Sequence, residues 1–256
     1  DRVLIDRVPF RKQLFIFTGL YPFLAGWLIF GWFALPPVAS QDIGGLALTL
    51  IIGITGIAFS LPMGILLALG RTSNLPVIKI LSVLFIEFIR GVPLIALLFI
   101  ASTMLNYFMP PGTTFDLLVR VLIMVTLFAS AYMAEVIRGG IAGIPKGQIE
   151  AASAAGLSYW KTMYLIVMPQ VLKISIPGIV NTFIGLFKDT TLVLIIGMFD
   201  LLGMGKAALT NLNWAGLHRE MYLFVAVAFF FCCYGMSLYS GYLERKLDTE
   251  NKFQKK

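Results

Sequence analysis

The sequence is most informative between residues 144 and 160, which read Ile144-Pro145-Lys146-Gly147-Gln148-Ile149-Glu150-Ala151-Ala152-Ser153-Ala154-Ala155-Gly156-Leu157-Ser158-Tyr159-Trp160. The segment from Gln148 to Ala155 is rich in residues of high helix propensity, above all Ala. Pro145 before it and Gly156 after it are typical start and stop signals of a helix. The stretch therefore predicts a short helix with an alanine face, a glycine turn and a second short segment. Because so short a helix is marginal on its own in water, we expect it to pack on a partner.

The chain around this stretch has the composition of a membrane protein. Of its 256 residues, 59% are hydrophobic and 13% are charged, against about 45–50% and about 25% in soluble domains. A membrane helix needs about 20 mostly apolar residues. We therefore predict an all-α integral membrane protein with six spans, which are Gln13 to Ala34, Leu46 to Leu69, Pro76 to Leu105, Leu117 to Val136, Pro169 to Gly197 and Met221 to Leu243.

The distribution of basic residues predicts the orientation of these spans. Lys and Arg collect on the cytoplasmic side of membrane proteins. If the N-terminus is cytoplasmic, most of the 20 Lys and Arg residues fall on the inner side. The basic residues that do not are Arg90, Arg120, Lys188, Lys206 and Arg219. We therefore expect both termini of this segment to be cytoplasmic, and the net charge of +7 to serve membrane topology and not nucleic-acid binding.

The third predicted span is too long for a straight helix, and Arg90-Gly91-Val92-Pro93 interrupts it. Thirty residues would extend about 45 Å, whereas the hydrocarbon core is about 30 Å thick. Pro93 lacks a backbone donor and crowds the preceding turn, so we expect a break there. The fifth span, with Pro177, Gly178 and Gly185, is irregular as well. Two broken spans indicate a translocation path, and the alternative is a kink that only shapes helix packing.

Two acid–base pairs repeat the same spacing. Glu87 and Arg90 are three residues apart, as are Glu135 and Arg138, so each pair shares one helix face. Pairing lowers the cost of a charge in the membrane, which is at least ~2.5–3.5 kcal/mol when the charge is alone. We interpret Glu135 and Arg138 as a clamp between helices. For Glu87, Arg90 and the polar run Lys188-Asp189-Thr190-Thr191, a clamp and a substrate path are both open.

The sequence gives little support for a catalytic or a metal-binding site. Cys232 and Cys233 are adjacent and lack metal-ligand spacing, and the single His218 lies in a polar stretch. The chain contains no G-x-x-x-x-G-K-[ST] phosphate loop. We therefore expect no catalytic residue, no metal site and no bound cofactor in this chain.

The residues of the 144–160 stretch also carry a family resemblance. Together with two later residues they reproduce the spacing E-A-A-x3-G-x9-I-x-L-P, in the form Glu150, Ala151, Ala152, Gly156, Ile166 and Pro169. This spacing resembles the permease subunits of bacterial ATP-binding-cassette importers, although Met168 stands where Leu is usual. Arg90 to Pro93, Tyr132 to Gly140, Gly147-Gln148 and Lys188 to Leu192 resemble the polar amino-acid branch of that family. Residues 183–203 resemble the M-type permease of general L-amino-acid transporters.

The resemblance implies a fold, partners and site residues. The fold would be that of a binding-protein-dependent importer permease in the bacterial inner membrane, with a coupling helix in a cytoplasmic loop at 139–168. The partners would be ATP-binding-cassette ATPase subunits, which use ATP and Mg, a second and related permease chain, a periplasmic substrate-binding protein, the amino-acid substrate and membrane lipid. The residues coupled to the ATPase would be Glu150, Ala151, Ala152, Gly156 and Leu157. In this interpretation Glu150 benefits from the dipole at the helix start, and the two alanines form the contact face.

The same resemblance divides the chain into parts and suggests a path. Residues 1–45 would form an N-terminal segment with an extra helix, 46–245 the permease core and 246–256 a basic tail. An amino acid needs an acceptor for its ammonium and donors for its carboxylate, and the candidates are Glu87, Arg90, Lys188, Asp189 and Thr190. The main alternative function is an ion-coupled secondary transporter, which has no need of a structured helix at this spacing. An ion channel, a membrane enzyme or a scaffold is favoured less.

Overall fold

The computed structural model describes residues 20, 40–104, 107, 110 and 116–247. Within these residues the regular structure is helical, apart from an isolated β-bridge between Gly45 and Asp200. The helices are α1 (Gly45–Arg71), α2 (Pro76–Gly91), α3 (Leu94–Phe99), α4 (Leu117–Ala142), α5 (Lys146–Ala154), α6 (Tyr159–Thr162), α7 (Met168–Asp189), α8 (Leu201–Ala208) and α9 (His218–Leu247). Two π-helical segments, Ile100–Met104 and Met163–Val167, follow α3 and α6. The 3-10 segments are Ser40–Asp42, Thr190–Ile196 and Leu212–Trp214.

Five of the six predicted spans correspond to described helices. Four helical stretches are long and apolar enough to cross a membrane on their own, namely α1, α4, the continuous run Tyr159–Ile196 and α9. The fifth is the pair α2 and Leu94–Met104, which is bent by 100° at the break. The first predicted span, Gln13 to Ala34, lies outside the described residues apart from Leu20, as does the tail beyond residue 247. An all-α membrane protein is therefore confirmed, with four or five spans in the described part.

Helices α1 and α4 run side by side in the same direction and form the centre of the bundle. Gly56 of α1 faces Val125, and Gly64 faces Met133, so the register is constant along the pair. A Cβ atom added to Gly64 would lie 2.6 Å from Met133 Cγ. Small residues at helix interfaces allow this close approach in membranes, where packing replaces the hydrophobic driving force.

The long helix α7 packs antiparallel against both. Gly178 of α7 faces Val136, while Phe187 near its end lies against Gly53 at the start of α1. Pro177 does not interrupt α7, which continues to Asp189. The irregularity expected in the fifth span occurs instead where α7 tightens into the 3-10 segment Thr190–Ile196. The end of the bundle that carries residues 143–158 is called the loop end below.

The break in the third span lies where the sequence predicts it. Val92 and Pro93 are both extended, and the chain then turns into α3. Arg120 of α4 is buried and donates hydrogen bonds from Nη1 to the carbonyls of Ala101 and Ser102, at 2.9 and 2.8 Å. These carbonyls belong to the π-helical segment after α3. The arginine therefore supplies hydrogen-bond donors to two backbone carbonyls of a segment that departs from α-helical winding.

Opposite the loop end, a short helix that the sequence analysis did not predict lies between the last two spans. Gly197 adopts φ +85°, a left-handed conformation that glycine favours. Asp200, fully buried, caps α8 by accepting a hydrogen bond from the Gly203 N–H at 2.9 Å. The Leu201 N–H bonds to Thr49 Oγ1 and the Gly45 N–H to the Phe199 carbonyl. These bonds attach α8 to the first residues of α1.

The last helix, α9, packs along α7 and against α8 but buries little of its own surface within the chain. Only 6% of its most apolar 18-residue window is buried. Its exposed side chains include many aromatic residues, among them Phe224, Phe230, Phe231, Tyr234 and Tyr242. Cys232 and Cys233 lie on this helix as free thiols.

The contact between Gly64 and Met133 predicts a strong effect of volume at this site. Gly64→Ala places a methyl group against the Met133 side chain and 3.1 Å from the Ala134 backbone nitrogen. Overpacking of this kind costs about 1–3 kcal/mol, so the melting temperature in mild detergent is expected to fall. Gly185→Ala is the matched control, because no atom lies within 4 Å of its added Cβ. Equal melting temperatures for the two variants would contradict the close approach of α1 and α4.

Asp200 predicts a pH dependence of stability. Burial is the largest influence on this carboxyl and raises its pKa, against the backbone N–H groups of Gly203 and Leu202 and the charge of Lys206. An aspartate in the unfolded chain titrates near pH ~3.9, so the folded chain holds the proton more tightly. The stability from the protonated form is complete below that pH and is lost as the pH rises through the raised pKa.

The measurement is the melting temperature of Asp200→Asn minus that of the wild type, followed upwards from about pH 4. Because Asn stays neutral, this difference is expected to grow as the pH rises. A difference that does not change with pH would show that the Asp200 carboxyl is charged at no cost in the folded chain.

Candidate coupling loop and charged cluster

The predicted short helix is present at the loop end as α5. Pro145 is its N-cap residue, and the helix runs from Lys146 to Ala154. Gly156 then adopts φ +75°. Its N–H bonds to the Ser153 carbonyl at 3.0 Å, and the Leu157 N–H bonds to the Ala152 carbonyl at 3.1 Å. This pair of bonds is the Schellman motif, which ends a helix at a left-handed residue.

The side chains of α5 divide into one buried residue and an exposed remainder. Ala152 is 3% exposed, whereas Glu150, Ala151 and Ala154 are exposed. Ala152 therefore packs within its own chain. The sequence analysis expects Ala151 and Ala152 to form one contact face, but only Ala151 is exposed. Glu150 is the fifth of nine residues in α5, beyond the first turn, where the helix dipole acts most strongly. Its carboxylate is consequently placed for an external contact more than for a dipole interaction.

A second short segment follows α5, as predicted. It is α6, whose Tyr159 and Trp160 rings meet edge to face with centroids 5.3 Å apart. Trp160 is 69% exposed. Thr162 and Val167, in contrast, are buried and attach this segment to the bundle. The loop end thus presents an exposed helix and an exposed aromatic pair on a fixed base.

The two predicted acid–base pairs lie together in one cluster with a fifth residue, Arg71. Arg71 Nη1 donates to Glu87 Oε1 at 2.7 Å and lies 2.9 Å from Glu135 Oε1. Arg138 binds Glu135 Oε2 through Nε at 3.0 Å and Nη2 at 2.9 Å. Arg90 Nη1 is 3.7 Å from Glu135 and 4.0 Å from Glu87. We call Arg71, Glu87, Arg90, Glu135 and Arg138 the charged cluster.

The charged cluster changes two sequence-based interpretations. The two pairs are not separate, because Glu135 of α4 contacts arginines at the ends of α1 and α2 as well as Arg138. Arg90, which the charge distribution set apart from the inner-side residues, lies beside Arg71. The sequence contains no signal for Arg71, since a contact between residues 71 and 135 depends on helix packing and not on spacing along the chain.

The polar run in the fifth span has a different arrangement. Thr190 is 2% exposed, and its hydroxyl donates to the Phe187 carbonyl at 2.7 Å. The Thr190 hydroxyl therefore uses its donor in a hydrogen bond within its own chain. Lys188 is exposed and Asp189 is partly buried, and no ion pair joins either of them to another residue that the structure describes. Among the residues that the structure describes, no ion pair links Glu87 or Arg90 to Lys188 or Asp189.

An open cavity of about 330 Å³ lies between α7 and α9. Its polar lining includes Asn181, Ser237 and Ser240, whose hydroxyl donates to Glu244 Oε1 at 2.8 Å. Among the described residues no group of three or more His, Cys, Asp or Glu side chains is arranged to hold a metal ion. The polar chemistry of this region is therefore that of hydroxyl, amide and single carboxylate groups.

Comparisons with known proteins agree with this arrangement. Residues 60–249 match the family described as binding-protein-dependent transport system inner membrane component. A glutamate/glutamine/aspartate/asparagine transport system permease protein of Rhodobacter capsulatus is 60% identical over 86% of the chain. An inner membrane amino-acid ABC transporter permease protein of Escherichia coli is 54% identical over 94% of the chain. The chain spans only 51% and 66% of the lengths of these two relatives.

Solved structures show the same fold. A crystal structure of an amino acid ABC transporter with histidines has a TM-score of 0.69 and 29% sequence identity, and the match covers 79% of this chain and 92% of that one. A MetNI methionine ABC transporter in inward-facing conformations has a TM-score of 0.59 at 19% identity, over 77% and 91% of the two chains. The helical arrangement, the glycine-ended α5 and the family match over residues 60–249 together identify the chain as a member of the binding-protein-dependent transport system inner membrane component family.

Proposed function

We propose that this chain is the transmembrane permease subunit of an ATP-driven amino-acid importer. The observation that carries the proposal is α5, a short exposed helix that is ended by a Schellman motif and holds Glu150, Ala151 and Gly156 at the family spacing. The chain itself hydrolyses nothing in this proposal. ATP and Mg are used by cytoplasmic ATPase subunits, and a periplasmic binding protein delivers the substrate.

In this mechanism α5 is the contact to the ATPase, and the loop end faces the cytoplasm. The exposed carboxylate of Glu150 is available to a basic group on the partner, and the small side chain of Ala151 lets the partner backbone approach closely. Gly156 and Leu157 hold the end of the helix in one direction through their backbone bonds. A movement of the ATPase then turns α5 as a rigid unit and switches the packing of the membrane helices between two states.

The proposed translocation path runs along the exposed side of α7 and is shared with a second, related permease chain. A charge without a partner in a membrane span is costly, and Lys188 and Asp189 have no ion-pair partner in the described part of the chain. An amino-acid carboxylate and ammonium would complete this pair of charges. In this proposal Thr190 does not contact the substrate. Its hydroxyl stabilises the end of α7 by donating to the Phe187 carbonyl.

The names of two relatives support a proposal for the substrate class. The Rhodobacter capsulatus relative is described as a transporter of glutamate, glutamine, aspartate and asparagine, and a Bacillus subtilis relative 33% identical over 78% of the chain is described as a probable glutamine transporter permease. We propose that the cargo is a polar or acidic amino acid. The alternative, an ion-coupled secondary transporter, requires uptake that follows a proton or sodium gradient in the absence of ATP.

The contact at α5 predicts that bulk and charge at Ala151 remove the ATPase. Ala151→Glu adds an acidic side chain to an exposed position and leaves the fold intact, so the melting temperature stays unchanged. The amount of ATPase that co-purifies in mild detergent is expected to fall about tenfold, the effect of ~1.4 kcal/mol of lost binding energy. Ala215→Glu, an exposed alanine at the opposite end of the bundle, is the control. ATPase retained by both variants would rule out α5 as the contact.

The path along α7 predicts a substrate-binding effect at Lys188. Lys188→Gln removes the charge that would hold the substrate carboxylate, and the KM of ATP-driven uptake in proteoliposomes is expected to rise about tenfold. Lys79→Gln removes an exposed charge of the same type from α2 and should leave the KM unchanged. Uptake kinetics that are equal to wild type in an assembled Lys188→Gln complex would exclude this residue from the path.

A further inference from the structure

The charged cluster joins three helices through one carboxylate. Glu135 is 17% exposed and lies within 3.7 Å of a guanidinium nitrogen from each of Arg71, Arg90 and Arg138. Arg71 is the last residue of α1, and Arg90 is the second-last residue of α2. Glu135 and Arg138 lie on α4, within two turns of its end at Ala142. The ends of α1, α2 and α4 therefore share a single electrostatic centre.

This centre lies between the two parts of the chain that a transport cycle must connect. On one side, α4 ends at Ala142, and only residues 143–145 separate it from α5. On the other side, α2 ends one residue after Arg90, at the break where the third span bends by 100°. A displacement of α5 pulls on the end of α4. The shortest ionic route from there to the bend passes through Glu135.

Close packing also joins α2 and α4 beside the cluster, where Ile86, Met133 and Ile137 are fully buried in one hydrophobic core. Gly91 and Gly139 directly follow the two outer arginines of the cluster, and an added Cβ at either glycine would meet no atom within 4 Å. Ile89 and Ala131 belong to a second hydrophobic core. Beyond these cores there is open space beside Gly91, and the Arg90 side chain is held there by charge and by the Tyr132 ring.

The five members are not equally bound. Arg71 and Arg138 approach carboxylate oxygens to 2.7–3.0 Å. Arg90 stays at 3.7 and 4.0 Å from its two carboxylates, is 34% exposed, and lies 5.7 Å from the centre of the Tyr132 ring. Three guanidinium groups face two carboxylates, so one arginine always has the weaker share. Arg90 has this weaker share, and it lies one residue before the end of α2, where the third span bends.

We infer that Glu135 is a positioning residue which transmits the movement of α5 to the bend after α2, by exchanging its hold on Arg90. The inference rests on the proposed function and adds to it a specific residue that links ATP hydrolysis to transport. When Glu135 holds Arg90, α2 and α4 move together. When Arg90 pairs with Glu87 of its own helix, α2 loses its direct contact with Glu135 and stays attached to the cluster only through Glu87 and Arg71. Two packing states of this kind are what a switching element requires.

The test measures amino acids transported per ATP hydrolysed by the complete complex in proteoliposomes. Glu135→Gln keeps the shape of the side chain and removes the charge that selects among the arginines. ATP hydrolysis is expected to stay within about twofold of wild type, while the ratio of transport to hydrolysis falls about tenfold. Glu220→Gln, an exposed glutamate on the first turn of α9, is the matched control and should leave the ratio unchanged.

Arg90→Gln is the second variant, because its loose contacts make a folding defect least expected there. It should lower the same ratio, and the double variant Glu135→Gln/Arg90→Gln should be no worse than Glu135→Gln alone, since both act through one contact. An unchanged ratio in both single variants would overturn the inference. So would a parallel loss of hydrolysis, transport and melting temperature, which is the behaviour of a static clamp. A wild-type complex without ATP-driven uptake would instead overturn the proposed function itself.

Discussion

Hydrocarbon offers no hydrogen bonds, so each charge and each backbone group within a membrane bundle needs a partner from protein. This constraint explains the most informative contacts of the chain. Arg120 donates to two carbonyls of the π-helical segment after α3. Thr190 returns its hydroxyl to the Phe187 carbonyl at the point where α7 changes its winding. Irregular backbone thus occurs where a side chain is available to satisfy it.

The same constraint gives the unpaired groups their meaning. The charged cluster carries three arginines and two carboxylates, so its internal pairing is incomplete. Lys188 and Asp189 lack ion-pair partners among the described residues. In a soluble protein water would satisfy such groups at little cost. In a membrane span, an unpaired charge indicates a position where a substrate, a second chain or a conformational change supplies the missing partner.

The elements that the sequence predicts well are those set by local chemistry. Helix α5 begins after Pro145 and ends at Ala154, two residues before Gly156, because a fixed proline φ and a left-handed glycine act within one turn of the chain. The apolar spans and the break at Pro93 follow from composition and from proline geometry in the same way. Pro177 is the counterexample, since α7 continues past it to Asp189.

The elements that the sequence does not predict depend on contacts between distant residues. Arg71 reaches Glu135 only after α1 and α4 pack in a fixed register, and the burial of Ala152 depends on the position of the segment that follows α5. The sequence does not predict α8, because eight residues carry a weak pattern and Asp200 is recognisable as a cap only when the helix that it caps is known. Local signals therefore define the pieces of the candidate site, and tertiary packing defines which pieces meet.

The small buried fraction of α9 has a consequence for how this protein changes between species. A side chain that faces fluid acyl chains has no fixed neighbour to fit, so one apolar residue there can replace another with little effect on the fold. Gly64 has no such freedom, because the Met133 side chain occupies the space beside it. Natural variation is therefore expected to accumulate fastest along α9. A stretch of α9 whose sequence is conserved marks the place where another polypeptide packs against it.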